Sequence, residues 1–397
     1  MKAATNLAVS KGARVHVTDL GPVLRIDLNL FGADLGSEPA VGRKAWSHEQ
    51  NRRLCDAMTA EMERHGGNFN SLAEWTVAVN RHYDLQDMRN VRTARWSDGF
   101  GSAITTLPWA HPTSPKSVSI QTVGYVPKDP GTHFRMRAWQ PACLYDCSFL
   151  GLATASVVEI GEINLVYLSG VVAWDQTIQP LAGDNPRAQV RIVLQKIQEV
   201  FWEAGGTPAD VVRLRPFTAS PEVARLLREE CTRLTTEQGG PEPTLLIAEE
   251  SSFWGAPALY TEIQVMGVVG RNGCAIGQEE CLLPGITSAT TRIRRTTTPI
   301  GTMLHAADLR APTGTDPKAE ATVISDQVAQ VLRAFGLMAA NVCLAMIYAS
   351  SPQSIVELMA ALRGQIDPAA LHFVFCPPMP ELNGGTVKLE LTAWTRR

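Results

Sequence analysis

The sequence predicts an α/β (α+β) protein built from three tandem domains, each with a mixed sheet and helices on its outer side. The main observation is an internal repeat in which a polar residue precedes a helix-forming run and a glycine follows sixteen residues later. The copies start 139 and 131 residues apart, so three units account for all 397 residues. About 130 residues can bury a separate core, and such a repeat determines architecture before any motif does. The three pairs are Gln50 with Gly66, Gln189 with Gly205, and Glu320 with Gly336.

The middle unit shows the order of elements most clearly. Residues 164–174 form an apolar run typical of a strand, and residues 187–204 carry apolar side chains at the three- and four-residue steps of a helix face. Gly205 and Gly206 supply the left-handed cap that ends this helix. Ser220 is a suitable N-cap for a second helix that runs to about Leu234, with Pro221 in its first turn. Further strands are predicted at 210–218, 244–249 and 259–269.

The outer units repeat this order, which divides the chain into domains 1–135, 136–270 and 271–397. In the first unit we predict strands at 23–31, 74–79, 103–107 and 117–123, with helices at 48–65 and after residue 84. In the third unit we predict strands at 301–306, 342–348, 372–375 and 386–393, with helices at 319–335 and from 351 or 352.

Composition and charge restrict the classes of partner. The chain is 45% hydrophobic and 19% charged, which is typical of a globular protein. The net charge of −3 leaves no basic stripe for a phosphate backbone. The densest cationic run, residues 292–295, is expected to be a solvated strand edge or loop. We therefore expect no nucleic-acid partner.

Membrane segments and a secretory signal are not evident. Residues 1–14 lack the continuous apolar core of a signal peptide, and no segment approaches 18 uncharged apolar residues. These features predict a cytoplasmic protein with no membrane partner.

Metal and cofactor signatures are missing from the sequence as well. Eight cysteines are too dilute for a disulfide scaffold, and the close pair Cys143 and Cys147 has no nearby histidine at ligand spacing. There is no phosphate-binding loop and no dinucleotide-binding glycine motif. We expect reduced thiols, no metal and no cofactor.

The middle unit resembles the RidA (YjgF/YER057c/UK114) family. The resemblance is carried by a strand that ends in Ser169-Gly170, the helix opened by Gln189, the turn at Gly205 and a late strand that contains Glu262. The outer units look like the same fold in more diverged form. The resemblance implies three RidA-like (chorismate-mutase-like) domains, and related single-chain arrangements include the chorismatases.

RidA-like proteins are typically homotrimers with a central barrel-like core and pockets at the subunit interfaces. Three fused copies therefore predict an intramolecular pseudo-trimer that is monomeric in solution, and the three pockets are then free to diverge. The family's imine-hydrolysing members carry a Pro-Ala-Arg stretch whose arginine grips the substrate carboxylate. The corresponding stretches here are 101–103, 241–243 and 368–370, and none contains an arginine. The standard RidA deaminase activity is therefore not expected.

Three residues are the catalytic candidates. The resemblance places Glu262 near bound water, and a carboxylate in a partly apolar pocket can transfer protons near neutral pH. Glu390 lies on the matching strand of the third unit and could act likewise. Ser169 lies at the strand end that borders the family's pocket. Each also has a structural interpretation: Glu262 could face solvent, and Ser169 could belong to an ordinary strand end.

Four further residues are candidates for substrate binding. His305 occupies the third unit's counterpart of the region around Ser169, Glu250 follows a strand beside an aromatic loop, and Trp174 and Cys376 lie at strand ends. A lone histidine in an apolar strand is more often structural, adjacent acids on a strand face opposite sides, and tryptophans often serve packing.

The sequence therefore favours a cofactor-independent enzyme that acts on a small molecule. The expected chemistry is acid–base hydrolysis, elimination or cyclisation of an imine, enol ether or similarly activated metabolite, as a hydrolase or lyase with its pocket at an interface between units. The alternative is a RidA-like protein that binds a metabolite without transforming it.

Overall fold

The computed structural model describes residues 13–32, 43–79, 82–96, 101–107, 118–239, 241–245, 247–249, 259–286, 291–312, 316–376 and 385–396. These residues form three mixed β-sheets of five, seven and six strands. We refer to each sheet and its helices as the first, second and third unit. The α+β class predicted from the sequence is confirmed.

The first unit contains five strands and two helices. The sheet has the order β1-β2-β5-β3-β4, in which β3 and β4 are parallel and the other neighbours are antiparallel. The elements are β1 (Ala13–Asp19), β2 (Val23–Phe31), α1 (Arg43–Arg64), β3 (Leu72–Ala78), α2 (His82–Thr93), β4 (Ala103–Leu107) and β5 (Ser119–Pro127).

The second unit repeats this plan with additional edge strands. Its order is β10-β9-β12-β8-β7-β6, and β11 also pairs with β9. The elements are β6 (Phe134–Trp139), β7 (Ala155–Ile160), β8 (Ile163–Val171), α3 (Pro186–Glu203), β9 (Val211–Thr218), α4 (Pro221–Gln238), β10 (Thr244–Leu245), β11 (Ala248–Glu249) and β12 (Thr261–Gly270).

The third unit has the sheet order β13-β14-β15-β18-β16-β17. Its elements are β13 (Gly277–Glu280), β14 (Arg292–Thr298), β15 (Gly301–Leu309), α5 (Pro317–Ala334), β16 (Val342–Ala349), α6 (Pro352–Ala361), β17 (Leu371–Phe375) and β18 (Val387–Thr395).

The repeated polar residue has a clear physical role. Gln50, Gln189 and Glu320 are all buried in the long helix of their unit; the last two lie in its first turn, whereas α1 begins seven residues before Gln50. The side-chain oxygen of each accepts a hydrogen bond from a backbone N–H at or just before the last strand, from Val118 (3.2 Å), Tyr260 (3.2 Å) and Thr386 (2.8 Å), respectively. A buried N–H without a partner is costly. The repeat therefore conserves a connection between helix and sheet.

The other end of each repeat is also explained by backbone geometry. Gly66, Gly205 and Gly336 have φ angles of +85°, +82° and +62°, which a side chain disfavours. At the start of the middle helix, the Asn185 side chain accepts from the N–H of Ala188 at 3.0 Å. The predicted N-cap Ser220 accepts from the N–H of Val223 at 3.3 Å. The cap predicted at Ser220 is confirmed.

The sequence did not identify the hairpin strand that precedes each apolar strand. β1 and β14 are rich in charged and hydroxyl side chains, so their alternation is weak in the sequence. The cationic run 292–295 lies in β14, and its Arg294 is buried, against the expectation of a solvated run. The predicted boundary between 135 and 136 falls inside β6, so a boundary in the turn 128–133 keeps that strand whole.

Each unit has its own apolar core between its sheet and its two helices. A fourth core contains no helical residue and is built by strand residues from all three units, among them Tyr125, Tyr167 and Trp394. The helices therefore cover one face of each sheet, and the opposite faces meet one another. This arrangement creates three interfaces between units.

Candidate functional site

Buried polar side chains occupy the middle of the molecule, where the three sheets meet. We call Glu74, Arg213, Arg215, Gln264, His305 and Glu390 the central cluster. Arg213 of the second unit forms an ion pair with Glu74 of the first. Arg215 binds both carboxylate oxygens of Glu390 in the third unit, at 2.6 and 2.8 Å. Breaking such a buried pair leaves an uncompensated charge, so the central cluster couples all three units.

The pairing of the last strands identifies equivalent positions in the three units. Glu262 of β12 faces Phe217, Lys388 of β18 faces Tyr348, and Ser119 of β5 faces Ala78, each at the same step of its ladder. Two residues further on, the equivalent positions hold Gln264, Glu390 and Gln121. Glu390 is therefore the counterpart of Gln264, and the counterpart of Glu262 is Lys388.

The interface between the first and second units contains an open pocket of about 100 Å³. Both units contribute to it, because β4 and α2 of the first unit face β8, β12 and the segment 141–152 of the second. We call this cavity the interface pocket. Its lining residues are Arg89, Ile104, Thr106, Tyr145, Cys147, Leu150, Leu152, Ser169, Gly170, Val172, Trp174, Leu259 and Glu262.

Glu262 is the acidic group of the interface pocket. Burial raises its pKa to about 7, since removal from water penalises the charged form. No cation among the described residues forms an ion pair with it. The carboxyl group lies over Gly170, where any Cβ would overlap it. A carboxyl group with a pKa near 7 can both donate and accept a proton at neutral pH.

Ser169 also lines the interface pocket, but its hydroxyl group is already engaged. It donates to the carbonyl of Ala153 at 2.6 Å and accepts from the backbone N–H of Ile104 at 2.8 Å. Ile104 belongs to β4 of the first unit, so this hydroxyl joins the two units across the pocket. With both hydrogen bonds made, the Ser169 hydroxyl links the two units.

Two aromatic rings and a cation complete the pocket. Trp174 and Tyr145 meet edge to face with their centroids 5.0 Å apart, and the Tyr145 hydroxyl donates to the carbonyl of Gly170 at 2.9 Å. Arg89 enters from α2 of the first unit, and burial lowers its pKa. The pocket therefore combines a proton-transferring carboxyl group, an apolar aromatic wall and one guanidinium.

The interface between the second and third units is filled at the matching place. The ammonium of Lys388 is buried and donates to the carbonyl of Ile247 in the second unit. Nearby, Asp308 lies 3.6 Å from Arg228 of the second unit and 3.6 Å from Arg310. Charged side chains thus occupy the space that is open at the interface pocket.

Aromatic rings fill the interface between the third and first units. Phe31 stacks on Phe373 with centroids 4.3 Å apart and on His372 with centroids 5.0 Å apart. The Arg14 guanidinium lies 4.9 Å from the centre of the Phe31 ring. The side chain of Asn29 donates to the carbonyl of Ala369 at 2.8 Å. This interface is closed by packing.

The remaining predicted site residues lie elsewhere. Glu390 and His305 belong to the central cluster: burial opposes ionisation of Glu390, but Arg215 outweighs it and brings its pKa to about 2. Burial lowers the pKa of His305 to about 3, and its Nδ1 lies 2.9 Å from the Thr392 hydroxyl. Cys376 is buried at the end of β17. Glu250 lies outside the described residues.

Sequence reasoning brought Glu262, Ser169 and Trp174 to one pocket and missed Arg89 and Tyr145. Arg89 is separated from Glu262 by 173 positions, and no local pattern connects them. Among the described residues, no group of three His, Cys, Asp or Glu side chains could hold a metal ion. In the same part of the chain, no helix is long and apolar enough to cross a membrane.

Comparison with known proteins gives one family match and several structural matches. The model of the family described as Endoribonuclease L-PSP matches residues 154–247, within the second unit. A chorismatase crystal structure is similar over 82% of this chain and 93% of its own, with 11% sequence identity and a TM-score of 0.51. That similarity shows the fold across all three units.

Single-unit structures match as well. A member of the YjgF/YER057c/UK114 family from Mycobacterium tuberculosis is 29% identical and covers 31% of this chain and 91% of its own, with a TM-score of 0.25. E. coli TdcF with bound serine is 18% identical and covers 30% of this chain and 87% of its own, with a TM-score of 0.26.

Proposed function

We propose that this chain, whose second unit matches the Endoribonuclease L-PSP family model and whose three RidA-like units share their fold with a chorismatase, is a cofactor-independent enzyme with its site in the interface pocket. The observation that carries the proposal is Glu262, a carboxyl group with a pKa near 7 that reaches an open cavity between two units. Holding a carboxyl group where burial disfavours its charged form and no ion pair compensates it costs free energy. Enzymes use this arrangement to match a general acid to neutral pH.

The substrate class follows from the pocket lining. An open cavity of about 100 Å³ has room for only a small molecule. The apolar wall of Tyr145, Trp174 and Leu259 favours an unsaturated or apolar portion, and Arg89 supplies a cation for an anionic group. The stretches that would hold the family's substrate-gripping arginine lack one here. We propose that Arg89, from a helix of the neighbouring unit, takes that position.

Glu262 can then perform the acid–base steps of hydrolysis. The neutral carboxyl group donates its proton to the nitrogen of an imine or to the terminal carbon of an enol ether, which leaves an electrophilic iminium or oxocarbenium carbon. Water adds to that carbon, and the Glu262 carboxylate takes up the proton that the water releases. Glu262 then gives that proton to the leaving nitrogen or oxygen as the carbon–heteroatom bond breaks, and it takes the hydroxyl proton of the intermediate as the carbonyl forms, so the carboxyl group is again protonated. Elimination or ring closure would use the same proton donor.

Turnover by a Glu262→Gln variant tests this function. A panel of small imines and enol ethers that carry a carboxylate is assayed, and the variant is expected to lose about 10²–10⁴-fold in kcat, which is the usual contribution of a general acid or base. Glu237→Gln, at an exposed position on α4, is the matched control and should keep wild-type activity. Unchanged kcat in Glu262→Gln would remove Glu262 from the mechanism.

Binding without turnover is the second candidate function. It is favoured by the hydroxyl of Ser169, which is held by Ala153 and Ile104 and offers no free nucleophile. In that case a pocket ligand raises the melting temperature, Arg89→Met abolishes the shift, and no product forms. A ribonuclease role is not favoured, because a net charge of −3 gives RNA little to bind.

We also propose that the three units replace the three subunits of a trimer, with domains near 1–135, 136–270 and 271–397. The proposal is supported by the strand-built core and the central cluster, to which all three units contribute. Light scattering should give a particle near the chain mass of 43.1 kDa. A particle of three chains would contradict it.

A further inference from the structure

We propose that Arg92 and Lys196 are positioning residues that hold one wall of the interface pocket in place. The wall segment is residues 141–152, between β6 and β7, and four of its side chains line the pocket: Tyr145, Cys147, Leu150 and Leu152. The inference rests on the proposed function of this pocket. It adds two residues that do not line the cavity but fix the segment that does.

Arg92 holds the wall segment from the first unit. Its side chain is 1% exposed and donates from Nε to the carbonyl of Gly151 at 3.2 Å and from Nη2 to the carbonyl of Leu150 at 3.0 Å. The guanidinium is also within 5.9 Å of the Trp75 ring centre and 5.3 Å of that of Trp96. It is therefore fixed on α2 before it reaches the wall segment.

Lys196 holds the opposite end of the wall segment from α3 of the second unit. Its ammonium donates to the carbonyl of Cys143 at 3.0 Å and to the carbonyl of Trp174 at 2.8 Å. Trp174 is itself a pocket residue. One buried lysine thus connects the wall segment to the aromatic side of the cavity.

Burying the charges of Arg92 and Lys196 costs free energy that an apolar side chain at the same place would not cost. Burial lowers the pKa of Arg92 to about 9 and also lowers the pKa of Lys196. Among the described residues, no carboxylate lies within ion-pair distance of either, and both are stabilised by backbone carbonyls. A buried cation without an ion-pair partner is unfavourable, and the more distant Glu199 and Asp175 offset the effect of burial on Lys196 only in part. Both cations bind the same twelve-residue segment, so their common effect is to fix its position.

The wall segment matters because its side chains lie beside Glu262 in the pocket and limit the contact of the carboxyl group with water. Glu262 contributes to the raised pKa values of Tyr145 and Cys147, after the larger effect of their burial, so all three groups lie close together. Gly151 has a φ of +62°, and any Cβ there would overlap the Thr93 hydroxyl, so the turn is seated directly against the end of α2. Releasing the turn would admit water to the Glu262 carboxyl.

Titration of Glu262 by NMR tests the proposal without a substrate. The chain is labelled with ¹³C at glutamate side chains, and Glu262→Gln identifies the resonance. In Arg92→Met and in Lys196→Met the pKa of Glu262 is expected to fall by about one unit or more toward the usual value of about 4.3. Arg92→Lys, which keeps the charge and a donor, should give a smaller decrease. Arg95→Met, which removes an ion pair with Asp56, is the matched control and should leave the pKa unchanged.

An unchanged Glu262 pKa in folded Arg92→Met and Lys196→Met would overturn the proposal, even if the melting temperature fell. If neither variant folds, amide hydrogen exchange of the wild type tests whether the wall segment is held in place. The N–H groups of Leu150 and Gly151 should be protected to the same degree as those of β8, and exchange at the rate of an unfolded chain would refute the fixed wall. Failure of the proposed function is separate, because it appears as unchanged turnover in Glu262→Gln.

Discussion

The interface between the first and second units is open, whereas the interface between the second and third units is filled. The last strand of the second unit, β12, reaches the open interface with Glu262. The last strand of the third unit, β18, reaches the filled interface with Lys388 at the same step of its ladder. Glu262 forms no ion pair among the described residues and has a pKa near 7. Lys388 is buried and donates to a carbonyl of the opposite unit. At equivalent positions, a glutamate thus lines a cavity and a lysine forms a hydrogen bond between units.

This difference shows how fusion changes a repeated scaffold. Identical subunits must build identical interfaces, because every residue appears three times. In a single chain each interface has its own residues, so one pocket can keep an unfavourable carboxyl group while the others supply stability. Phe31, with His372 and Phe373, closes the third interface by aromatic stacking. The contacts at the two closed interfaces and in the central cluster stabilise the arrangement of the three units that forms the interface pocket.

The largest expected effect is loss of the ion pair that joins the second and third units. Arg215→Met leaves Glu390 buried without its bidentate partner and should lower the free energy of unfolding by about 3–5 kcal/mol. Arg215→Met combined with Glu390→Leu should recover much of this loss, because no charge is then left unpaired. Urea denaturation at pH 7 measures both. Arg225→Met, which removes an ion pair between two exposed side chains, is the control and should unfold nearly like the wild type.

At the open interface the carboxyl group of Glu262 has no ion-pair partner, and the pH dependence of stability should show this. The pKa of Glu262 is about 7 when folded and about 4.3 when unfolded, so the folded state holds the proton more tightly. The resulting stabilisation is fully present below the unfolded pKa and is lost as pH rises through about 7. Relative to Glu262→Gln, the wild type should therefore lose roughly 2 kcal/mol of unfolding free energy between pH 5 and pH 8. Parallel curves for the two proteins would contradict a raised pKa.

The smallest expected effect is removal of the charge that fills the second interface. Lys388→Met loses a hydrogen bond to Ile247 but no longer buries an ammonium, so the net loss should be about 1 kcal/mol. Thermal unfolding measures it against Lys128→Met, a change at a half-buried surface pair with Asp19. A gain of stability in Lys388→Met would mean that the ammonium is retained for a reason other than closure.

The elements were largely predictable, and the site only in part. β4 was predicted at 103–107 and lies there, because an apolar run bounded by turn residues has few other solutions. Glu262 and Ser169 were selected through the family resemblance and Trp174 through its position at a strand end, and all three line one pocket. Glu390 was selected from the same strand type, yet its ladder position matches Gln264. A shift of two residues keeps a side chain on the same face and moves it about 7 Å along the strand, which periodicity does not reveal.

The sequence by itself determined the threefold repeat, the positions of most helices and strands, and the absence of the substrate-gripping arginine from its usual stretch. These features depend on local spacing, composition and backbone conformation, which a linear pattern records. Only the tertiary structure decided which interface is open, that Arg89 of the first unit and Glu262 of the second line the same pocket, and that Ser169 is engaged by both units. Those properties depend on groups far apart in the chain and on the burial that their contact produces.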